Sequence, residues 1–213
     1  MGVALLTTEH LVRTFLHVGC GSKRKDQTTA GFNTPDWQER RFDIDPAARP
    51  DIVGTMTDMS AVAPASVNAV FSSHNIEHLY PHEVPVALAE FRRVLTPDGF
   101  VVITCPDLQS VCAAVAEDKL DDPLYKSPAG PISPLDILYG HRASMQRGNL
   151  FMAHRCGFTA KVLIAALRAA GFTSVACTKR AAPFFDLYAV ATREPSSREV
   201  LEQLAQLHFP KRT

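Results

Sequence analysis

Three groups of residues in this sequence are of types and spacings that could do chemistry. The first is Gly19-Cys20-Gly21, which follows the apolar run Phe15-Leu16-His17-Val18. Glycines so placed allow positive backbone torsions and leave no side chain above the strand end, so a nucleotide-like molecule can approach the backbone. An isolated pair of this kind is also an ordinary tight turn. The second group is Asp43 and Asp45, about twenty residues on, where dinucleotide-type folds keep the acid that holds ribose hydroxyls. Arg24 stands where a GxGxxG pattern would have its third glycine. A phosphate-free nucleoside therefore suits the turn better than a pyrophosphate. The third group is His74, His78 and His82, with Glu77 among them. Histidine can accept a proton near neutrality, and four-residue spacing could also bring metal ligands together. Pro81 interrupts the helix that would align all three, so no metal site is expected.

These groups need a scaffold, and the hydrophobic pattern supplies one. Largely apolar stretches at residues 14–18, 67–72 and Gly99–Thr104 read as strands buried on both faces, as in a parallel sheet, and Arg40–Asp45 and Asp51–Gly54 read as two further strands. Val84, Leu88, Phe91 and Leu95 recur at helical spacing, with Pro85 in the first turn and Thr96-Pro97 as the stop. Asp107 is expected to cap a helix carrying Val111, Ala114 and Val115, and Thr159 one carrying Leu163, Ile164 and Leu167. Residues 173–179 and 186–192 read as two further strands, and 196–208 as a last helix opened by a capping box. Residues 1–12 could hold a short helix. The stretch Lys23–Trp37 has no helical period and carries Gly31 and Pro35, so it is expected to be a long loop with at most one helical turn. Lys23, Arg24 and Lys25 read as a solvated run or as a contact for a ligand carboxylate. Residues 120–158 combine four prolines with Tyr125, Tyr139, His141, Phe151 and His154. A long insert of that composition is expected to be functional rather than disordered.

Leu16-His17-Val18-Gly19-Cys20-Gly21, Phe42-Asp43-Ile44-Asp45-Pro46, Thr57-Asp58-Met59, Val67 to Leu79 and Phe91 to Phe100, in that order, resemble the motif set of class I S-adenosylmethionine-dependent methyltransferases. The resemblance spans residues 14–107 and resumes more weakly to about 193. It implies an α/β, Rossmann-like, mostly parallel seven-stranded sheet with helices on both faces and an antiparallel last strand. It also implies S-adenosylmethionine as cofactor and S-adenosylhomocysteine as product. By the same resemblance Val18, Gly19, Cys20 and Gly21 would meet the amino acid portion. Asp43, with Ile44, would hold the ribose, with Asp45 as the rival acid. Asp58 would accept the adenine amino group while the Met59 backbone pairs with a ring nitrogen. Ser72, Ser73 and His74 would lie beneath the methyl and sulfur. Thr55 stands where many relatives have an acid. The candidate catalytic residues are His74, His141 and His154, the last two carried by the insert at 120–158, which is expected to act as a lid.

Composition bounds the partners. A chain of 213 residues with 46% hydrophobic content suits one domain, 1–213, and 22 basic residues balance 22 acidic ones. No global field draws it to nucleic acid, and no apolar run approaches a bilayer span. Five cysteines without a CxxC pair suit reduced thiols, Cys20 being a small filler rather than a nucleophile. The expected protein is cytoplasmic, a monomer or homodimer, acting on a small-molecule methyl acceptor or a saccharide. A catalytically silent nucleoside- or partner-binding relative and a nicotinamide-dependent oxidoreductase are the competing readings.

Overall fold

The computed structural model describes residues 12–180 and 183–211. The short helix expected within residues 1–12 falls outside the described residues but for the last position. In chain order the strands are β1 (Arg13–Val18), β2 (Trp37–Asp43), β3 (Ile52–Val53), β4 (Val67–Ser73), β5 (Leu95–Pro106), β6 (Tyr125–Ser127), β7 (Gly130–Ile132), β8 (Ser174–Lys179) and β9 (Asp186–Thr192). The helices are α1 (Val84–Val94), α2 (Leu108–Ala116), α3 (Pro134–Tyr139), α4 (Arg142–Gln146), α5 (Ala160–Ala169) and α6 (Arg198–His208). Seven strands form one sheet in the order β3-β2-β1-β4-β5-β9-β8, parallel except for β9, which runs antiparallel to both neighbours. The chain therefore leaves β1 in one direction and returns beside it as β4. That reversal opens a crevice beyond the carboxyl ends of β1 and β4.

Burial on both sheet faces explains the largely apolar runs, and the two-residue period of a strand sorts them. Leu16, Val18, Val101 and Ile103 point to one face, where Leu88 and Phe91 of α1 and Leu163 and Leu167 of α5 cover them. Phe15, Phe71, Phe100 and Val102 point to the other face. No long helix follows β1 on that second face. A single 3-10 turn, Lys25–Gln27, takes its place, and Phe32 from the same loop stacks on Phe15 at 4.3 Å. α6 completes the cover. Its Leu201 and Leu204 join the cluster, its His208 Nδ1 lies 2.6 Å from the Thr29 hydroxyl, and the Leu207 carbonyl accepts from the Gly31 N–H at 2.9 Å. Burial holds the His208 imidazole down to about 4.

Some boundaries differ from the sequence reading. β2 starts at Trp37 rather than Arg40, because Trp37 pairs with Arg13 and buries its indole among Phe15, Phe32 and Phe100. Lys25 is not part of a solvated run. Its ammonium donates to the Thr34 and Trp37 carbonyls at 2.9 and 2.8 Å and so shapes the loop. The insert carries a hairpin, β6 and β7, and two short helices. It packs Ile132 and Ile137 on Val111 of α2, with Tyr125 and Phe185 beside them.

Candidate functional site

The crevice beyond β1 and β4 is a cavity of about 510 Å³ bordered by Val18, Gly19, Cys20, Gly21, Lys23, Asp43, Ile44, Ser73 and His74, among others. Its floor is the glycine turn, with Gly19 at φ 61° and Gly21 at φ 51°. A Cβ on Gly19 would lie inside contact distance of the Asn75 carboxamide. That carboxamide cannot step aside freely, since its Nδ2 donates to the Val18 and Ser73 carbonyls at 3.0 and 2.9 Å. Two side chains of β2 fix the turn from the other side. Asp43 Oδ2 accepts from the Gly21 N–H at 2.7 Å, and Arg41, buried, donates to the carbonyls of Gly21, Ala48 and Arg49. Asp43 Oδ1 accepts from the Asp45 N–H at 2.9 Å. Each carboxylate oxygen then keeps one further acceptor position, which matches a vicinal diol. Asp45 turns away to cap the 3-10 turn at Pro46–Ala48, accepting from Ala47 N–H at 2.8 Å.

A second cavity, about 330 Å³, lies beneath the insert. Pro106, Tyr125, Ile132, Ile137 and Phe185 give it apolar walls, while His141, His154, Glu77, Asp136 and Asp186 supply polar groups. His74, His78 and Met152 border both cavities. His74 follows β4 at φ 55°, a left-handed torsion that a non-glycine residue adopts at a cost of order 1–2 kcal/mol. That torsion aims the imidazole between two acids, with Nδ1 3.4 Å from Glu77 Oε1 and Nε2 3.5 Å from Asp186 Oδ1. The ring keeps 42% of its surface open and borders both cavities. Burial pulls its pKa down, and Glu77 and Asp186 together outweigh that and hold it above the ordinary value. For Glu77, burial would raise the carboxyl, and the imidazoles of His74, His78 and His154 hold it below the usual range instead.

Residues 16–103 match the family model for a methyltransferase domain. That match covers under half of the chain and supports an S-adenosylmethionine-dependent methyltransferase with S-adenosylmethionine as its cofactor. No curated protein matches it. Among solved structures, a Burkholderia thailandensis 1,6-didemethyltoxoflavin-N1-methyltransferase with bound 1,6-didemethyltoxoflavin and S-adenosylhomocysteine aligns at TM-score 0.55 and 19% identity, over 86% of this chain and 72% of that one. A SAM-dependent methyltransferase from Methanosarcina mazei aligns at TM-score 0.56 and 14% identity, over 87% of this chain and 94% of the other. The methyltransferase in complex with the Haloferax volcanii Trm112 activator aligns at TM-score 0.52 and 16% identity, over 88% and 84%. At these identities the structural likeness carries the fold.

Against that fold the methyltransferase's expected site residues divide. Val18, Gly19, Cys20, Gly21, Asp43, Ile44, Ser73 and His74 border the larger cavity, and its dimensions and donor pattern fit S-adenosylmethionine. Asp58, Met59 and Ser72 do not border it. Met59 is fully buried, its N–H donating to Glu90 Oε2 and its carbonyl accepting from Arg93 Nη2, both at 2.8 Å. The Glu90–Arg93 ion pair on α1 thus occupies the backbone that was to meet the adenine. Asp58 faces solvent, where the Ser60 hydroxyl and then the Ser60 N–H, from which it accepts at 3.0 Å, lower its pKa. Ser72 points into the core, and Ser73, one residue on, faces the cavity and meets the Thr104 hydroxyl at 2.8 Å. Gly54, Thr55 and Met56 border the cavity where Asp58 and Met59 were expected, and the insert adds Asn149, Phe151 and Arg155. Of these last three the sequence singled out Phe151 alone, as an aromatic of the insert.

The histidines regroup as well. His141 and His154 both reach the smaller cavity, whereas Tyr139, which looked like a wall residue, is 61% exposed. His82 stacks on Tyr80 at 5.7 Å, away from His74. His78 instead pairs with His154, ring centroids 4.9 Å apart, beside Glu77. Among the described residues no helix is long and apolar enough to cross a membrane.

Proposed function

We propose that this methyltransferase acts on a small molecule, a saccharide included, held in the 330 Å³ cavity beneath residues 120–158, and that those residues form its lid. The observation that carries the reading is the position of His74, which borders both cavities at their junction. Bound S-adenosylmethionine supplies a methyl group already activated on a sulfonium. The chain's part is alignment and, for an oxygen or protonated nitrogen acceptor, removal of a proton. Gly19, Cys20 and Gly21 offer backbone groups to the amino acid portion, with Lys23 at the rim for its carboxylate, and Asp43 offers two acceptor positions to the ribose diol. His74, held by Glu77 at Nδ1, takes up the acceptor's proton at Nε2 and shares it with the Asp186 carboxylate beside that nitrogen. His141, whose Nδ1 lies 2.8 Å from the Ser144 hydroxyl, and His154 orient the acceptor from the lid side. The apolar walls and the lid exclude water from a site that small.

The test is turnover on a panel of small hydroxylated and amino compounds, followed by mass spectrometry, with the chain as it is and with His74→Asn. Asparagine tolerates the left-handed torsion, so the substitution removes the imidazole and spares the backbone. The expected result is a loss of roughly 100-fold in turnover, the lower end for a general base, with S-adenosylhomocysteine affinity within about threefold. Unchanged turnover in His74→Asn would remove His74 from the reaction and with it the acceptor site proposed here.

A further inference from the structure

The Glu77 side chain is 99% covered, yet neither of its carboxylate oxygens has a hydrogen-bond donor. A buried carboxylate without such partners is held at a cost unless a cation faces it. Three imidazoles do face it: that of His74, with Nδ1 3.4 Å from Oε1, and those of His78 and His154. One ligand atom from each of Glu77, His78 and His154 lies within 4.8 Å of the others. His78 Nδ1 is 3.1 Å from the Ala153 carbonyl and His154 Nδ1 is 2.6 Å from the Ile137 carbonyl. A carbonyl only accepts, so in both rings Nδ1 carries a proton, and Nε2 is the nitrogen left to meet a ligand. This is the second-layer arrangement by which metal-ligating histidines are usually oriented, the far nitrogen tied to a backbone carbonyl.

We propose that Glu77, His78 and His154 form a binding site for one divalent transition-metal ion. Two imidazoles and a carboxylate favour zinc or a neighbouring first-row metal over magnesium or calcium, which prefer all-oxygen sets. Three protein ligands leave a coordination position open, as in catalytic rather than structural zinc sites. All three residues border the smaller cavity, so the open position faces the acceptor. Donors around a tetrahedral zinc stand about 3.3 Å apart, given metal–ligand lengths near 2.0–2.1 Å. Closing from 4.8 Å asks each group to move by under about 1 Å toward a shared centre, within reach of side-chain rotation. The sequence reading tested a different set, His74, His78 and His82, and set it aside because of Pro81. The set found here draws its third ligand from the lid, 76 positions further along the chain. The ion would therefore also fasten the lid to the turn after β4. The acceptor class this implies is one carrying an oxygen or nitrogen donor next to the methylated atom, and that extension alone rests on the methyl-transfer reading.

The experiment uses the full chain, stripped with a chelator, dialysed, and titrated with zinc by calorimetry, with metal content measured after gel filtration. The same is done with cobalt(II), whose absorption reports coordination by imidazole. One ion per chain is expected, with affinity reduced at least about 100-fold in His154→Asn, more than the loss seen on removing an outer partner. Glu77→Gln, which keeps the shape, should reduce it comparably, so the outcome does not hang on one variant folding; thermal melts of both exclude global unfolding. Failure of the stripped chain to retain an ion while it still binds S-adenosylhomocysteine would overturn the metal site and leave the methyltransferase reading standing. Retention of zinc by both folded variants at wild-type affinity would likewise overturn it. Zinc uptake abolished by the variants, in a chain that does not bind S-adenosylhomocysteine, would support the metal site and count against the proposed cofactor chamber.

Discussion

The two cavities meet at His74 but are made differently. The larger is built from strand ends, where two positive-φ glycines and the carboxylate of Asp43 present backbone and one fixed acid. The smaller is roofed by the insert, with side chains from a hairpin, two short helices and the turn after β4, and most of its polar groups titrate. A ligand common to a whole family can be held by backbone shape. An acceptor peculiar to one chain needs side chains that can be exchanged without disturbing the sheet. The difference teaches that the glycine-floored cavity tolerates little change, while the cavity proposed for the acceptor sits on a part of the molecule with its own small core of Val111, Ile132 and Ile137.

That contrast breaks most easily at the glycine turn. Gly19→Ala places a methyl group against Asn75 and demands a left-handed torsion, so a loss of about 2–4 kcal/mol in urea-melt stability is expected, together with loss of S-adenosylhomocysteine binding. An alanine variant that binds normally would mean the turn is not the rigid floor described.

Acid should separate the two regions next. The folded pKa of His208 lies at about 4, below its ordinary 6.5, so between those values the unfolded chain binds more protons. Stability is therefore complete above pH 6.5 and falls as pH drops to 4, by about 3 kcal/mol in all. Arg13, the charge that adds to the effect of burial, is the neighbour to hold constant. In the insert, Asp136 is held well below the usual carboxylate range: burial opposes this, but hydrogen bonds from Arg142 and Ser133 prevail. Its contribution is present above the ordinary carboxylate pKa and survives to much lower pH. Fluorescence of Trp37, which packs with Phe32 beside His208, should change in that window, and His208→Asn should flatten the response. A transition that persists in His208→Asn would show that another group governs it.

Asp43→Ala is expected to weaken S-adenosylhomocysteine binding by roughly 1.5–3 kcal/mol, the range for hydrogen bonds to a charged group, and Asp45→Ala by less. Calorimetry ranking the two in the opposite order would move the ribose contact to Asp45. The smallest effect belongs to the lid. His141→Ala should lower turnover by about tenfold, near 1.4 kcal/mol, while product affinity and melting temperature stay nearly unchanged. Loss of stability in step with activity would make His141 a packing residue.

How much of this could be read beforehand follows the same divide. The buried strands and the caps at Asp107 and Thr159 were legible because burial on two faces, helical spacing and capping chemistry are local signals, whereas the antiparallel edge came from the resemblance of the motif set. The adenine end was not. The Glu90–Arg93 pair that takes up Met59's backbone is a long-range contact with no trace in the motif. The grouping of His78 with His154 was equally hidden, since a spacing argument works along one helix and these ligands come from separate loops. The replacement of a helix by Phe32 and the last helix was half visible. The breakers Gly31 and Pro35 announced a loop, but nothing local said that Trp37 and His208 would close over it.

That closure sets an order on the protein's birth. Synthesis delivers β1 and the loop after it first, yet the loop's fasteners, the Leu207 carbonyl and the His208 ring, are among the later residues translated. At ribosomal speeds of about 5–20 residues per second, Phe15 and Phe32 wait roughly ten seconds or more for their cover. During that interval the nascent chain shows an aromatic patch on one face of its unfinished sheet, the surface a ribosome-associated chaperone would meet first.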